Sequence, residues 1–246
     1  MSKNALAQTE EEISAFERVE EELREFSYIV SHDLAASFRH LSQFSRLLVN
    51  EIRGGMTDNQ RLYAAQIDRA ALRCQTMMER LLTFSRVQQK YLTVASNDAV
   101  RLIEGVLMQL SEQRAKINPS IEIAPLGNIR VDGELMTIAL KEVLDNALKF
   151  GRKDLPLTVK VDAAVEGDQW HLRVTDDGIG IPPEHYDKAF RMFAQLHPEG
   201  TYPGVGAGLA ICQRIIRRHG GEMQFLYNKS GTTIELSLPA SVVVNP

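Results

Sequence analysis

The chain has 246 residues, of which 44% are hydrophobic and 24% charged, a balance typical of a soluble globular protein with one or two domains. The formal charge of −4 provides no basic surface, which excludes nucleic acid as the main partner. No apolar run is long enough to cross a bilayer and no signal-peptide core is visible, so we expect a cytoplasmic location and no membrane span.

Residues 1–25 are rich in glutamate and carry an apolar residue every three or four positions. This spacing predicts an amphipathic helix with a narrow apolar seam. A narrow seam needs a partner helix to bury it, so we interpret the segment as a coiled-coil signalling helix that follows an upstream sensor domain. A solvated helix with an ordinary packing face is the alternative interpretation.

Residues 26–92 continue the helical spacing and predict a hairpin of two long helices. Gly54-Gly55 predicts the end of the first helix. Thr57 and Gln60 have the spacing of a capping box and predict the start of the second. One such hairpin buries too little apolar surface by itself, so we expect two copies to pair as a four-helix bundle, which is a homodimer.

Residues 97–246 change to a mixed pattern that predicts an α+β sandwich, with helices on one face of a mixed sheet. Predicted helices run from Asp98 to about Lys116, from Asp132 to Phe150, from Gly206 to His219, and briefly after Pro182-Pro183. Predicted strands are Ile121–Ile123, Ile129–Val131, Leu157–Val165, Trp170–Asp176, Met223–Tyr227 and Thr232–Leu238. The two cysteines, Cys74 and Cys212, lie on apolar helix faces, which favours buried thiols over a disulfide or a metal site.

The helix predicted from Asp132 to Phe150 carries polar residues that suit a phosphate ligand. Glu142 and Asn146 are four residues apart and therefore share a face. The Asn146 oxygen is a hard ligand of the kind that Mg²⁺ takes, and Glu142 could orient a water molecule. Lys149 offers a point charge to phosphate. Taken alone, the segment also fits an ordinary amphipathic helix with a polar rim.

Two glycine-rich segments follow. In Asp176-Asp177-Gly178-Ile179-Gly180, a carboxylate at a strand end can accept a hydrogen bond from an exocyclic amine such as that of adenine, while Gly178 and Gly180 allow close approach. Gly204-Val205-Gly206-Ala207-Gly208 opens a helix, whose free amides suit a phosphate chain. It follows no strand and lacks a Gly-Lys-Ser/Thr ending, which argues against a dinucleotide fold and a P-loop.

These three segments, in this order, resemble the N box and the two glycine boxes of the ATP-binding domain that histidine kinases share with gyrase and MutL. Ser31-His32-Asp33-Leu34 resembles the acceptor box of a dimerising histidine kinase domain, and Phe190-Arg191-Met192-Phe193 resembles its Phe-x-x-Phe segment. The resemblance begins near Glu25. Tyr202-Pro203-Gly204 and Arg218-His219-Gly220-Gly221 look most like the phytochrome-associated branch.

The resemblance implies a two-component sensor protein-histidine kinase that uses ATP and Mg²⁺. His32 would accept the γ-phosphoryl group with help from Asp33, and would pass it to an aspartate in the receiver domain of a response regulator. Asn146 would ligate Mg²⁺, and residues 182–203 would form a mobile lid. The implied ATP-binding residues are Glu142, Asn146, Lys149, Asp176, Gly178, Gly180, Phe193, Gly204, Gly206, Gly208 and Leu209.

Five positions depart from the family pattern, one of which is Val205 in place of a common threonine. Ser37 replaces the usual proline, which predicts a straighter acceptor helix. Ala36 replaces the Thr or Asn linked with phosphatase activity, so dephosphorylation of a cognate regulator should hardly exceed its spontaneous rate. Glu142 replaces the first Asn of the N box, as in gyrase, which predicts slow futile ATP hydrolysis. Gln195 replaces an arginine, which predicts slow transfer.

The resemblance leaves two alternatives. A weakly active or inactive dimeric signalling scaffold fits the departures at Ser37 and Gln195. A gyrase-like or chaperone-like ATPase is disfavoured, because those proteins place no acceptor hairpin before the nucleotide domain.

Overall fold

The computed structural model describes residues 38–52, 55–152, 155–198 and 200–244. The chain divides into two compact units, Met1–Arg86 and Val87–Pro246. Four features predicted from the sequence lie outside the described residues, namely the signalling helix at 1–25, the acceptor pair His32 and Asp33, Ala36, and Ser37.

A helical hairpin forms the described part of the first unit. Helix α1 covers residues 38–51 and α2 spans Asp58–Gln89. The Thr57 amide donates to Gln60 Oε1 (2.8 Å) and the Gln60 amide donates to Thr57 Oγ1 (3.3 Å), which is the predicted capping box. Arg46 Nε lies 3.9 Å from Asp68 Oδ2, so the two helices lie side by side. The predicted hairpin is confirmed, whereas its pairing into a four-helix bundle stays a prediction.

The second unit contains a five-stranded mixed sheet in the order β2-β4-β5-β7-β6. Strands β2 and β4 are parallel and the remaining pairs are antiparallel. The predicted hairpins are confirmed, and Glu166 pairs with Gln169 across a turn at Gly167-Asp168. The strands are β2 (Ser120–Ile123), β4 (Thr158–Glu166), β5 (Gln169–Asp176), β6 (Glu222–Leu226) and β7 (Thr232–Pro239).

Helices cover one face of this sheet, because alternate strand residues are apolar and each long helix has one apolar side. Trp170, Leu172 and Val174 of β5 are buried in this core. The helices are α3 (Ala99–Gln109), α4 (Ser111–Ile117), α5 (Gly133–Lys149) and α7 (Gly208–Arg218). Cys212 is fully buried in α7 as predicted, while Cys74 is only half-buried, and both thiols are free.

The structure differs from the sequence prediction at three places. A second sheet, β1 (Val94–Asp98), β3 (Asn128–Asp132) and β8 (Val243–Val244), adds two unpredicted strands, of which β1 is mostly exposed and β8 has two residues. The helix predicted from Asp98 to Lys116 is interrupted at Leu110, whose φ of −95° and ψ of 14° are not helical. Helix α7 begins two residues late, because Gly206 has a φ of +74°.

Asp132 joins the start of α5 to the segment that follows α2. It is 1% exposed, and its Oδ1 caps α5 by accepting from the Leu135 amide (3.0 Å). The Thr93 amide donates to Oδ2 (3.0 Å), and Lys90 Nζ bonds both Asp132 Oδ1 (3.0 Å) and Glu134 Oε2 (2.7 Å). Burial acts to raise the pKa of Asp132, but these two amides and the Lys90 ammonium outweigh it and lower the pKa from 3.8 to about 2.

We expect Asp132→Asn to lower the free energy of unfolding by about 2 kcal/mol at pH 7, the amount that this pKa difference represents. Because the folded pKa lies below the unfolded value, the stabilisation is complete above the unfolded pKa and is lost as the pH falls toward 2. Urea unfolding at pH 7 and pH 3 measures the difference in free energy of unfolding between the parent chain and Asp132→Asn. Roughly half of the difference found at pH 7 should remain at pH 3. Asp187→Asn, at an exposed position, is the control. An equal loss at both pH values would contradict a role for the charge.

Candidate active site

Helix α5 forms the scaffold of the site. Glu142, Asn146 and Lys149 follow one another at helical spacing on one side, and Phe150 caps the C-terminus. All four residues are half-buried. The apolar side of α5, which includes Leu140, Val143, Leu144 and Ala147, is buried in the core. The helix is therefore fixed by its apolar side and presents a polar row beside the two glycine-rich segments.

Asp176 ends β5 and is 7% exposed. Its Oδ1 accepts hydrogen bonds from the Gly178 amide (2.9 Å) and the Thr232 amide (3.2 Å). Among the described residues, none bonds the other carboxyl oxygen, Oδ2. Burial raises the pKa of Asp176 from 3.8 to about 6, and the two amide donors counteract it only in part. One oxygen is thus held by the protein and the other is available to a ligand.

The segment after β5 contacts the C-terminal end of α5 directly. The Ile179 amide donates to the Phe150 carbonyl (3.0 Å). Gly178 has no room for a side chain, because a Cβ there would lie 2.8 Å from Asp176 Oδ1 and would also meet the Phe150 carbonyl. Arg152 Nε donates to the Gly178 carbonyl (3.0 Å). Arg152 is not among the residues predicted from the sequence, since a single basic residue after a helix fits no motif.

The segment 204–208 lies against the polar row of α5 at two points. A Cβ on Gly208 would meet the Glu142 carboxylate, and a Cβ on Gly204 would lie 3.7 Å from Lys149 Nζ. Gly206 combines its positive φ with close contact to the Ala194 carbonyl, so only glycine fits there. Among the described residues, no acceptor bonds the amides of Val205, Gly206 and Ala207. This run of free donors opens α7.

The predicted lid, residues 182–203, begins with the predicted short helix, a 3-10 turn (Pro183–His185) followed by α6 (Tyr186–Ala189). The rings of Tyr186 and Phe190 both pack on Phe225 of β6. The ring centroid of Phe225 lies 4.7 Å from that of Tyr186 and 4.9 Å from that of Phe190. Phe193 has a φ of +63°, which is unusual for a residue with a side chain. The N-terminal part of the lid is thereby anchored to the sheet.

The C-terminal part of the lid packs on Phe150. The Phe150 ring centroid lies 4.8 Å from that of Tyr202 and 5.7 Å from that of His197, and those two rings are 5.0 Å apart. Lys149 Nζ lies 4.4 Å from the Phe150 centroid. His197 and Tyr202 fall in the lid predicted from the sequence, but they are not among the predicted ATP-binding residues. Their aromatic rings, on either side of a turn and ahead of Pro203-Gly204, are the sequence feature that could have indicated this contact with Phe150.

The structure brings most of the predicted site residues together around α5. Leu209 is half-buried in the first turn of α7. Gly180 instead borders the β6–β7 turn, where a Cβ would lie 2.9 Å from the Gly231 carbonyl. A cavity of about 620 Å³ opens between α4 and the end of α5 and reaches Gly204. Within the described ranges, no group of three His, Cys, Asp or Glu side chains could hold a metal ion.

Comparison with known proteins matches this chain to a family of ATPases and to sensor proteins. Residues 131–242 match the family described as histidine kinase-, DNA gyrase B-, and HSP90-like ATPase. The chain is 27% identical over 224 residues to the phytochrome-like protein Cph1 of Synechocystis sp., covering 91% of this chain and 30% of that protein. It is 30% identical over 220 residues to the sensor protein KdpD of Escherichia coli K12, covering 85% of this chain and 24% of that protein. The chain has the catalytic core of a sensor histidine kinase.

Solved structures agree on the fold of this histidine kinase core. Full-length ShkA in complex with AMPPNP aligns with a TM-score of 0.63 at 23% identity, over 87% of this chain and 45% of that one. The mycobacterial sensor histidine kinase MprB aligns with a TM-score of 0.51 at 27% identity, over 60% of this chain and 97% of that one. The kinase core spans 24–30% of the length of Cph1 and KdpD. In the part of the chain that the structure describes, every helix is too short or too polar to cross a membrane.

Proposed function

We propose that the chain is the kinase core of a two-component system, which phosphorylates its own His32 with ATP and passes the group to an aspartate of a response regulator. One observation carries the nucleotide half of this proposal. In the buried carboxylate of Asp176, one oxygen accepts from two amides, and none of the described residues bonds the other. The other half rests on the Ser31-His32-Asp33-Leu34 motif and on relatives named as histidine kinases.

The adenine ring would bind at Asp176. The exocyclic amine would donate to Oδ2, which needs no rearrangement of the protein because Oδ1 alone serves Gly178 and Thr232. Phe150, at the adjoining end of α5, offers an aromatic surface. A buried acceptor of this kind discriminates strongly, because a purine without the amine would leave it unpaired.

The phosphates would lie along the segment 204–208. The free amides of Val205, Gly206 and Ala207 and the N-terminus of α7 provide donors and a positive dipole end, and Lys149 adds a cation beside Gly204. Asn146, one turn before Lys149, is the residue that would hold Mg²⁺, and the ion would supply charge neutralisation when bound. The residues present therefore fit ATP with Mg²⁺.

At His32, a neutral imidazole nitrogen would attack the γ-phosphorus of ATP. A nitrogen–phosphorus bond forms, the bond between the γ-phosphorus and the β,γ-bridging oxygen breaks, and ADP leaves with that oxygen. The attacking nitrogen has no proton to lose if the other ring nitrogen carries it, and Asp33 would hold that tautomer. The phosphoryl group then moves to a carboxylate oxygen of the response regulator, which regenerates the imidazole.

A homodimer is part of the proposal. Large apolar side chains remain exposed on both helices of the hairpin unit, at 44–68% of their surface, which is more than an isolated hairpin tolerates. A second copy would cover them as the predicted four-helix bundle. The residues are Leu41, Phe44, Leu47, Leu48, Leu62, Tyr63, Ile67 and Leu72. The upstream sensor domain, the response regulator and the cytoplasmic location stay predictions.

Labelled ATP tests the proposal. The chain is incubated with Mg²⁺ and ATP labelled at the γ-phosphorus, and in parallel with ATP labelled at the α-phosphorus. We expect a protein-bound label that is acid-labile and base-stable from the first and none from the second. Measured ATP binding without any label would favour the signalling scaffold, whereas release of labelled phosphate without labelled protein would favour a gyrase-like ATPase.

A further inference from the structure

Gln195 lies at the base of the loop formed by residues 195–204, the last part of the lid. Its side-chain Nε2 donates to the carbonyl of Gly204 (2.8 Å), so it joins the first residue of this loop to the last. Next to this hydrogen bond, the Ala194 carbonyl lies against Gly206. The loop is therefore closed at its base by two adjacent contacts, one made by a side chain and one by the backbone.

Further contacts hold the described residues of the loop on either side of position 199. The Thr201 amide donates to the Pro198 carbonyl (3.2 Å), which makes a turn at its tip. His197 and Tyr202, on either side of that turn, both pack on Phe150. The loop is thus bound to α5 through its aromatic rings and to itself through Gln195.

The hydrogen bond to Gly204 determines where the next amide points. In a trans peptide the carbonyl oxygen and the following N–H lie on opposite sides, and the described chain contains no cis peptide bond. Holding the Gly204 carbonyl toward Gln195 therefore turns the Val205 amide away from the lid loop. Val205 is 7% exposed, and its amide donates to no acceptor among the described residues. A buried donor without a partner is costly unless a ligand or water satisfies it.

We infer that Gln195 is a positioning residue, which orients the Val205 amide for the ATP phosphates by holding the Gly204 carbonyl. The inference rests on the proposed function. The sequence comparison predicted only slow transfer from the replacement of an arginine by Gln195, whereas the uncharged amide of glutamine is sufficient to hold the Gly204 carbonyl. Its effect should fall mainly on nucleotide binding, since its hydrogen bond is to Gly204, the first residue of the segment 204–208.

Gln195→Met tests this, because methionine has a similar length and no charge but cannot donate to a carbonyl. Gln109→Met, at an exposed position of α3, is the matched control. Gln195→Arg keeps an N–H donor and should preserve the orientation. Two measurements apply to each variant, hydrogen–deuterium exchange of residues 196–206 without nucleotide, and the Kd for Mg-ATP.

We expect faster exchange across residues 196–206 in Gln195→Met and a Kd raised about threefold to tenfold, the effect of losing one such hydrogen bond. KM for ATP should rise by the same factor with a smaller change in kcat. Gln109→Met and Gln195→Arg should retain the parent exchange rates. Unchanged exchange in Gln195→Met would overturn the inference, and so would faster exchange with an unchanged Kd. If the parent chain itself does not bind ATP, the proposed function fails, and the exchange data still decide whether Gln195 fixes the loop.

Discussion

Replacing Asp176 with asparagine is expected to weaken ATP binding by roughly 100-fold while leaving the folded domain at least as stable as before. Asparagine keeps one oxygen for the Gly178 and Thr232 amides, but it places an NH₂ group where Oδ2 stood. That group would face the adenine amine, donor against donor. Isothermal titration with Mg-ATP measures the loss, and urea unfolding without nucleotide measures stability.

The pKa of Asp176 determines how the substitution changes stability. Burial raises the pKa of Asp176 to about 6, above its unfolded value near 3.8, so folding favours the protonated form and stability falls as the pH rises from 3.8 to 6. At pH 7 the buried charge therefore opposes folding by about 3 kcal/mol. A neutral asparagine removes part of this cost. At pH 7 the urea midpoint of Asp176→Asn should therefore equal or exceed that of the parent chain, whereas at pH 4, where the parent carboxyl is already protonated, the substitution should bring no such gain. The wild-type affinity for ATP should also weaken below pH 6, since the ligand must then displace a proton.

Asp177→Asn provides the matched control for this experiment. Asp177 is the next residue along the chain, and its Oδ1 accepts from the Thr158 amide on the sheet (2.9 Å) instead of facing the site. Asparagine can keep that bond, so ATP affinity should change little. Equal losses of affinity in Asp176→Asn and Asp177→Asn would mean that ATP binding depends on the negative charge of the segment. Asp176 Oδ2 would then accept no hydrogen bond from the adenine amine.

Replacing His32 with glutamine is expected to remove more than 99% of the acid-labile label while leaving the Kd for ATP unchanged. Glutamine can occupy a similar polar helix position, but its amide nitrogen has no available lone pair and cannot attack phosphorus. The nucleotide-binding residues of the second unit are untouched. Autoradiography after base treatment, together with titration of ATP, gives both readouts from one preparation.

Two further variants sharpen this test. His40→Gln changes an exposed histidine of α1 and should keep the full label. Asn146→Ala should lose the label through the loss of Mg²⁺, although His32 is intact. Label retained on His32→Gln would place the acceptor elsewhere, and an acid-stable label would indicate a hydroxyl group in its place.

Local chemistry explains what the sequence could predict. Capping at Thr57, Asp98 and Asp132 depends on a side chain and an amide two or three residues later, so spacing alone locates the helix starts. The polar row of α5 and the glycine segments are likewise local patterns. The order of these segments then indicated the nucleotide site and the fold.

Contacts between distant residues explain what it could not predict. Strand β8 contributes two residues to a sheet whose other strands precede it by more than a hundred positions, and no periodicity marks so short a strand. Arg152 bonds the Gly178 carbonyl through the folded chain. Phe150, His197 and Tyr202 meet because the lid folds back on α5. Such pairings depend on tertiary structure, which spacing does not contain.

The burial of Cys212 has a consequence for following the molecule in solution. Its thiol is 0% exposed in α7, and burial together with the Glu142 charge raises its pKa far above the usual range. An alkylating reagent can therefore react only while α7 is detached from the core. In a chain with Cys74 replaced by serine, the alkylation rate of this single thiol would report how often α7 opens, and how far a bound nucleotide slows that opening.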